Sequence, residues 1–498
     1  MTWLAAVLPI ALGWSVVSLA GLRRRDDGLA YFGWVLAAGG LGTALVVLLW
    51  LLLGGAPGES LVGSVFAVSL ALCGAAWIRR VRGGSAPPVE GTPSRFGTAP
   101  GWQRAAYLLV VAGVIGLAGQ SVSSGLATAV ARGDDAIIWT HKARLITDGE
   151  GLGPGFVQLA AEADRPEGYW APLDDWLERK RPELEAGTLP QPHIARTYHL
   201  DYPLLNPALQ VYAFSACGAV VPWQSQLPIL LGTVALLLVL AGALARVTNP
   251  LVAGGLLTML FALHETRDAL TFAYADGLVA LGLLLAADGL RRARCSGRGG
   301  FLVLAAIGLA LLVWSKHEGL MHALALVGGC AVLRVVPWRR LVAVVAPAAA
   351  IVVVTWWLNA RFGFGNDVAS GGSLQVARLP EVLTFFATQL WSVGLFAQDA
   401  FGLNGHGLVP VFVALVVLTP RESLRGWSGA VALALVAIAA GEILVYLATP
   451  HDVTWHLSTS ARRLAWQSLP LTALWIGAWS GRVSPGRPIP DRAKPAAG

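Results

Sequence analysis

Charge is scarce in this chain. Asp, Glu, Lys and Arg make up 13% of its 498 residues, where an ordinary soluble domain carries roughly 25%. That excludes the composition of an ordinary soluble domain. Lysine is rarer still: only Lys142, Lys180, Lys316 and Lys494 occur, and arginine carries the remaining positive charge. In a chain so biased, each retained lysine marks a position of interest. The four cysteines, Cys73, Cys217, Cys295 and Cys330, show no CxxC spacing and no paired pattern, which supports neither a disulfide framework nor a zinc site. Segments alternating polar and apolar residues are missing, which excludes a membrane β-barrel. A signal-peptide cleavage pattern is missing too, so Thr2–Leu22 followed by Arg23, Arg24 and Arg25 reads as a retained first helix. The net charge of +7 sits in short loops, the positive-inside signature, and gives no nucleic-acid footprint.

Apolar runs fill the rest. The chain is 55% hydrophobic with a mean hydropathy of +0.63. A bilayer core takes roughly 20 helical residues, and runs of that order recur at 3–20, 29–53, 60–78, 106–124, 206–221, 227–245, 250–264, 271–290, 300–315, 319–336, 341–358, 408–420, 428–448 and 464–480. The stretch 383–398 is ambiguous. The fold class expected is an all-α polytopic membrane protein of about 13–15 transmembrane helices. Residues 1–82 form N-terminal spans, 83–105 a Gly/Pro/Ser-rich cytoplasmic linker, 106–480 the main transmembrane module and 481–498 a basic cytoplasmic tail. Arginines at 23–25, 79–82, 291–294, 334–340 and 421–425 anchor the cytoplasmic side, which puts 125–205, 264–276, 315–318, 359–382 and 449–463 outside. Parity between 205 and 291 closes only if one of 206–221, 227–245 or 250–264 is short or re-entrant. Pro222 and Pro228 break the chain in that region.

The expected external loop, 125–205, is the one sizeable polar segment, and it opens with Asp134 and Asp135 directly after an apolar run. Two adjacent carboxylates can split their pKa values and leave one as a general base; alternatively they cap a helix N-terminus. Asp135, Trp139, Lys142 and Ile146 fall at helical spacing, which predicts a short helix along the interface with Trp139 at headgroup depth. Further polar clusters share the same predicted side. Asp201 and Tyr202 precede Pro203, where Asp201 is a substrate contact or a turn residue. Tyr274 and Asp276 open an apolar run, and a carboxylate there needs a partner. Lys316, His317 and Glu318 interrupt an apolar hairpin, where Lys316 serves as a phosphate contact or the three form a solvated loop. Arg462 and Arg463 lie outside against the positive-inside bias, which binding an anionic headgroup explains. His451, Asp452 and His456 have side chains that can hold a metal or simply be solvated.

These pieces, taken in order, resemble the GT-C superfamily of membrane glycosyltransferases, in its bacterial branch related to dolichyl-phosphate-mannose–protein mannosyltransferases and aminoarabinose transferases. The resemblance rests on GDDAIIWTHKARLI (133–146), YHLDYPLLNP (198–207), FAYADGLVAL (272–281), WSKHEGL (314–320) and TPHDVTWHLSTSARR (449–463), within residues 106–480. It implies a GT-C-like bundle with short interfacial helices in its large external loop. It implies an inverting enzyme of the cytoplasmic membrane whose site faces the exterior, taking a sugar from a polyprenyl-phosphate-linked donor. The acceptor would be an envelope glycan, lipid or protein. Asp134 or Asp135 would deprotonate or orient the acceptor hydroxyl. Lys142, Lys316, Arg462 and Arg463 would hold the departing lipid phosphate, and Asp201, Tyr202, Tyr274, Asp276, His317, Glu318, His451, Asp452 and His456 would position the substrates. Some relatives use a divalent metal ion and others do not, so the resemblance leaves a metal open and names no other cofactor.

Two departures stand out. Three spans precede the helix that leads into the acidic loop, where one is usual, and no large soluble domain follows the last span. A transporter or flippase of lipid-linked sugars is the main alternative. It would favour charges at mid-membrane depth and repeated halves, whereas the apolar runs are nearly free of charge at their centres and show no internal repeat. A non-catalytic scaffold in envelope assembly is a third reading.

Overall fold

The computed structural model describes residues 4–82, 95–128, 135–163, 199–219, 222–364, 375–385, 408–449 and 452–483. Among these residues there is no strand. The α-helices longer than one turn are α1 (Leu4–Leu19), α2 (Gly28–Leu52), α3 (Glu59–Arg82), α4 (Gly101–Thr128), α5 (His141–Asp148), α6 (Pro154–Ala163), α7 (Leu205–Cys217), α8 (Pro222–Val247) and α9 (Pro250–Phe261). They continue with α10 (His264–Thr271), α11 (Asp276–Ser296), α12 (Gly300–Ser315), α13 (His317–Val332), α14 (Trp338–Phe362), α15 (Leu408–Leu418), α16 (Gly426–Ala448) and α17 (Val453–Val483).

Six of them, α2, α3, α4, α8, α14 and α16, are long and apolar enough to cross a membrane. The pair α10–α11, bent by 108°, makes a seventh if counted as one broken span. Helices α1, α9, α12 and α15 are apolar but shorter. By length and hydropathy the chain is a multi-pass membrane protein, with fewer full-length spans among the described residues than the number expected. Of the three segments suspected of being short, two are: α7 has 13 residues and α9 has 12. Helix α8 runs 26 residues despite its prolines. Pro222 sits at its first position, where a missing N–H costs nothing, and Pro228 lies inside the helix. The ambiguous stretch 383–398 lies outside the described residues beyond 385.

Breaks in the helices put polar residues at one end of the bundle. Helix α12 stops because Lys316 takes an extended backbone (φ −153°, ψ 164°), and α13 restarts at His317. Helix α10 stops at an extended Phe272, and α11 begins at Asp276. Close packing sets the rest. A Cβ at Gly13 would overlap the Val35 carbonyl, and one at Gly39 would overlap that of Pro9, so α1 and α2 touch backbone to backbone, as membrane helices do at small residues. The short helix expected there forms, as a π-helical turn (Asp135–Thr140) running into α5, and Trp139 on it is 1% exposed, packed with Ile138, Ala275 and Tyr202 inside the protein.

At the opposite end of α11 the arginines read as topology anchors are tied into a buried ion-pair network. Asp27 caps α2 by accepting from Ala30 N (3.1 Å) and also accepts from Arg246 Nε (3.0 Å) and Arg292 Nη2 (2.8 Å). Asp288 accepts from Arg292 Nε and from Arg291 Nη2 (2.6 Å). The Arg292 guanidinium lies 5.1 Å from the Trp34 ring centre. Asp27, Asp288 and Arg292 are all buried, so removing the central cation leaves two buried carboxylates with one arginine each, Arg246 on Asp27 and Arg291 on Asp288. Breaking such a buried pair costs roughly 3–5 kcal/mol. Arg292→Met should therefore lower the unfolding temperature of the detergent-solubilised protein far more than Arg246→Met, whose side chain is one-third exposed. Equal small losses for both would show that the network does not hold α2, α8 and α11 together.

Candidate functional site

The site is built on a tight turn. His199 adopts φ +40°, a left-handed conformation uncommon outside glycine, and Tyr202 N bonds its carbonyl at 2.9 Å. The three carbonyls that follow are each held by a side chain from elsewhere. Lys142 Nζ donates to Leu200 O and to Tyr202 O, both at 2.6 Å, and Asn359 Nδ2 donates to Asp201 O at 2.7 Å. The turn is thus clamped between α5 and the end of α14. Its rings lock it further: His199 stacks on Tyr202 at 4.7 Å, and Trp139 packs on Tyr202 at 5.4 Å.

The clamp aims the Asp201 side chain at α13. Asp201 Oδ2 lies 2.8 Å from His317 Nε2, and the Tyr202 ring meets the His317 ring edge-on at 4.9 Å. Next to His317, Lys316 Nζ lies 3.3 Å from Asp276 Oδ1 and 3.8 Å from Glu318 Oε1. Gln467 Nε2, from α17, donates to the same Asp276 oxygen. Arg463 Nε approaches Asp276 Oδ2 at 3.9 Å, with its guanidinium 4.9 Å from the Tyr274 ring centre. The cluster Asp276–Glu318–Lys316–Arg463 balances two carboxylates against two cations. Lys316 and Asp276 are buried, while the Arg463 side chain is 23% exposed, which makes it the more accessible cation.

The residues singled out in the sequence fall into three groups. Asp201, Tyr202, Tyr274, Asp276, Lys316, His317, Glu318 and Arg463 come together. Lys142 joins them from behind, its amine donating to two carbonyls of the turn. Arg462 and Asp452 are exposed, and His456 Nδ1 bonds Thr449 Oγ1 at 2.9 Å with its ring against Tyr446. Asp134 and His451 lie outside the described residues. Asp135 opens the π-helical turn Asp135–Thr140 that runs into α5. Among the described residues no group of three or more His, Cys, Asp or Glu side chains is arranged to hold a metal ion.

Sequence reasoning missed Gln467, Asn359 and Asn206, whose Nδ2 donates to Ala273 O at 2.9 Å and fixes the break before α11. Each is a polar residue in or beside an apolar run, and such residues mark functional or packing demands. That was the available signal, although it names no partner. Compared with family models, curated proteins and solved structures, the chain matches none.

Burial pushes the Lys142 pKa down to about 7, against the opposing pull of the Asp201 carboxylate. A neutral amine has two N–H bonds, and two carbonyls receive them. Unfolded, the group titrates near 10.4. Between those values the unfolded chain binds more protons, so stability rises with pH, by up to about 1.4 kcal/mol per unit. The detergent-solubilised protein should accordingly gain thermal stability from pH 7 to pH 9, and Lys142→Met should flatten that rise. A rise of the same slope in the variant would assign it to other groups.

Proposed function

We propose that this protein is an inverting glycosyltransferase. It moves a sugar from a polyprenyl-phosphate-linked donor to an envelope glycan, lipid or protein at the outer face of the cytoplasmic membrane. The observation that carries the reading is the meeting of remote motifs on Asp276 and His317. Motifs 272–281, 314–320 and 449–463 converge through the Lys316 and Arg463 contacts to Asp276, and 198–207 joins through Asp201 and His317. The segment 133–146 supports the same place through Lys142 and Trp139. Counting the shorter apolar helices as membrane-embedded brings the bundle toward the about 13–15 spans of a GT-C-like fold.

The orientation follows from charge. Arg246, Arg291, Arg292 and Arg298 gather at the end of the bundle opposite the site, with Asp26 and Asp27 among them. An arginine-rich end is the one that favours the cytoplasm, which supports the proposed outer-face site.

The chemistry needs an acceptor oxygen to displace phosphate from the anomeric carbon. The acidic pair Asp134 and Asp135 deprotonates or orients the acceptor hydroxyl. Charge that develops on the departing phosphate needs fixed cations, and Arg463, partly exposed over Tyr274, is the best placed, with Lys316 behind it. Because both cations already face Asp276, the phosphate competes with that carboxylate for them, which favours release of the product lipid.

Purified protein in nanodiscs, given a polyprenyl-phosphate hexose and envelope extract, should transfer sugar to an acceptor. Asp134→Asn or Asp135→Asn should lower the rate by about 100-fold or more, and Arg463→Gln should weaken donor use. Unchanged transfer in both aspartate variants would defeat the catalytic assignment. Movement of the intact donor between leaflets without transfer would point to a flippase.

A further inference from the structure

We propose that Asp201 and His317 form a proton-transfer dyad in which His317 Nδ1 takes the proton of the acceptor hydroxyl, leaving the acidic pair to orient that hydroxyl. The inference rests on the transferase reading above and assigns its base. His317 Nε2 lies 2.8 Å from Asp201 Oδ2. An ionised carboxylate only accepts, so Nε2 carries the ring proton and Nδ1 presents a lone pair. His317 makes no hydrogen bond through Nδ1 among the described residues, and its side chain is 31% exposed beside a carboxylate that is 5% exposed. One nitrogen is thus engaged inside the protein while the ring remains open to a substrate.

The arrangement is held far more firmly than a solvated loop requires. Three successive carbonyls, those of Leu200, Asp201 and Tyr202, are each fixed by Lys142 or Asn359. The Tyr202 ring, set by the same turn, packs edge-on against the imidazole. Fixing a carboxylate fixes both the tautomer and the orientation of the histidine it meets, which is what a base and its orienting group require. Asp201 is therefore a positioning residue, acting through His317.

The step balances. The acceptor O–H proton passes to Nδ1, and the oxygen's electron pair forms the bond to the anomeric carbon. The bond from that carbon to the phosphate oxygen breaks, and polyprenyl phosphate departs with the electron pair. The imidazolium then returns its proton to water. Among the described residues, the charged and titratable groups around His317 are Asp201 and Tyr202 on the turn, His199 stacked on Tyr202, Lys142 behind the turn, Lys316 and Glu318 on its own hairpin, and Asp276 beyond Lys316.

Two measurements on the full chain in nanodiscs test this. In the first, transfer rates are followed against pH for the wild type, His317→Gln and Asp201→Asn. The wild type should lose rate toward acid as His317 protonates. His317→Gln should lose about 100-fold or more in kcat, with little change in donor KM, and should lose that acid limb. Asp201→Asn should keep the limb but displace it. An acid limb intact in His317→Gln, or a loss confined to KM, would overturn the proposal. In the second, 15N-histidine NMR without substrate should find His317 as the Nε2–H tautomer, and Asp201→Asn should change its signals. An Nδ1–H tautomer, or signals indifferent to Asp201→Asn, would overturn the dyad even if the wild type transferred nothing. An inactive wild type with the expected tautomer would instead defeat the transferase reading, and the catalytic role with it.

Discussion

A carboxylate shut away from water has to be neutralised where it stands, and that requirement at Asp276 organises one whole end of this molecule. Its side chain is 5% exposed at the first turn of α11. Leaving it uncompensated would cost several kcal/mol. Lys316 from the α12–α13 break and Gln467 and Arg463 from α17 all turn toward it. Segments almost 190 residues apart in sequence, from Asp276 to Arg463, are therefore fixed relative to one another by one charge, which matters because apolar helices have little hydrophobic reason to choose one neighbour over another in lipid. The extended backbone at Lys316 and the broken segment before Asp276 give the ionisable groups a place at helix ends, where they need not cross the apolar interior.

The two ends of α11 solve the same problem for different purposes. Around Arg292 every charge is matched by short, direct contacts that tie α2, α8 and α11 into one body. Around Asp276 the shortest hydrogen bond comes from the neutral Gln467, the ion pairs are longer, at 3.3 and 3.9 Å, and a cation and a histidine stay partly exposed. The first arrangement is a fastening. The second is balanced yet open, which fits the proposed exchange of one anion for another. The clamped turn at 199–202 sits between the two styles: its backbone is fastened, and its Asp201 side chain is delivered to a partner that remains accessible.

Much of this was legible in the sequence. Uninterrupted apolar runs predicted α2, α3 and α16 closely, because a run of that length has no other use for its backbone than a helix. The polar motifs were recognisable because each interrupts such a run, and Tyr274, Asp276, Lys316, His317 and Glu318 all share the site. The rest depended on contacts that no local pattern encodes. Lys142 reads as a surface cation until the turn at 200–202 closes over it. Gln467 and Asn359 are single polar residues whose partners lie in other helices. Trp139 has the spacing of an interfacial residue, and only the neighbouring Tyr202 and Ala275 make it a core one. Arg291 and Arg292 look like orientation signals because positive-inside counting ignores burial. Pro222 and Pro228 suggested a broken region, but one starts α8 and the other is carried within it.

The central claim is that these converging groups receive a lipid-borne phosphate. The direct measurement is an electron cryo-microscopy structure of the protein in nanodiscs with polyprenyl phosphate added. The account predicts phosphate density within hydrogen-bond reach of Arg463, beside Asp276 and Tyr274, with the lipid tail leading away along the bundle. Phosphate density at the Arg292 end, or a lipid-free cluster at Asp276 when the lipid is saturating, would contradict it.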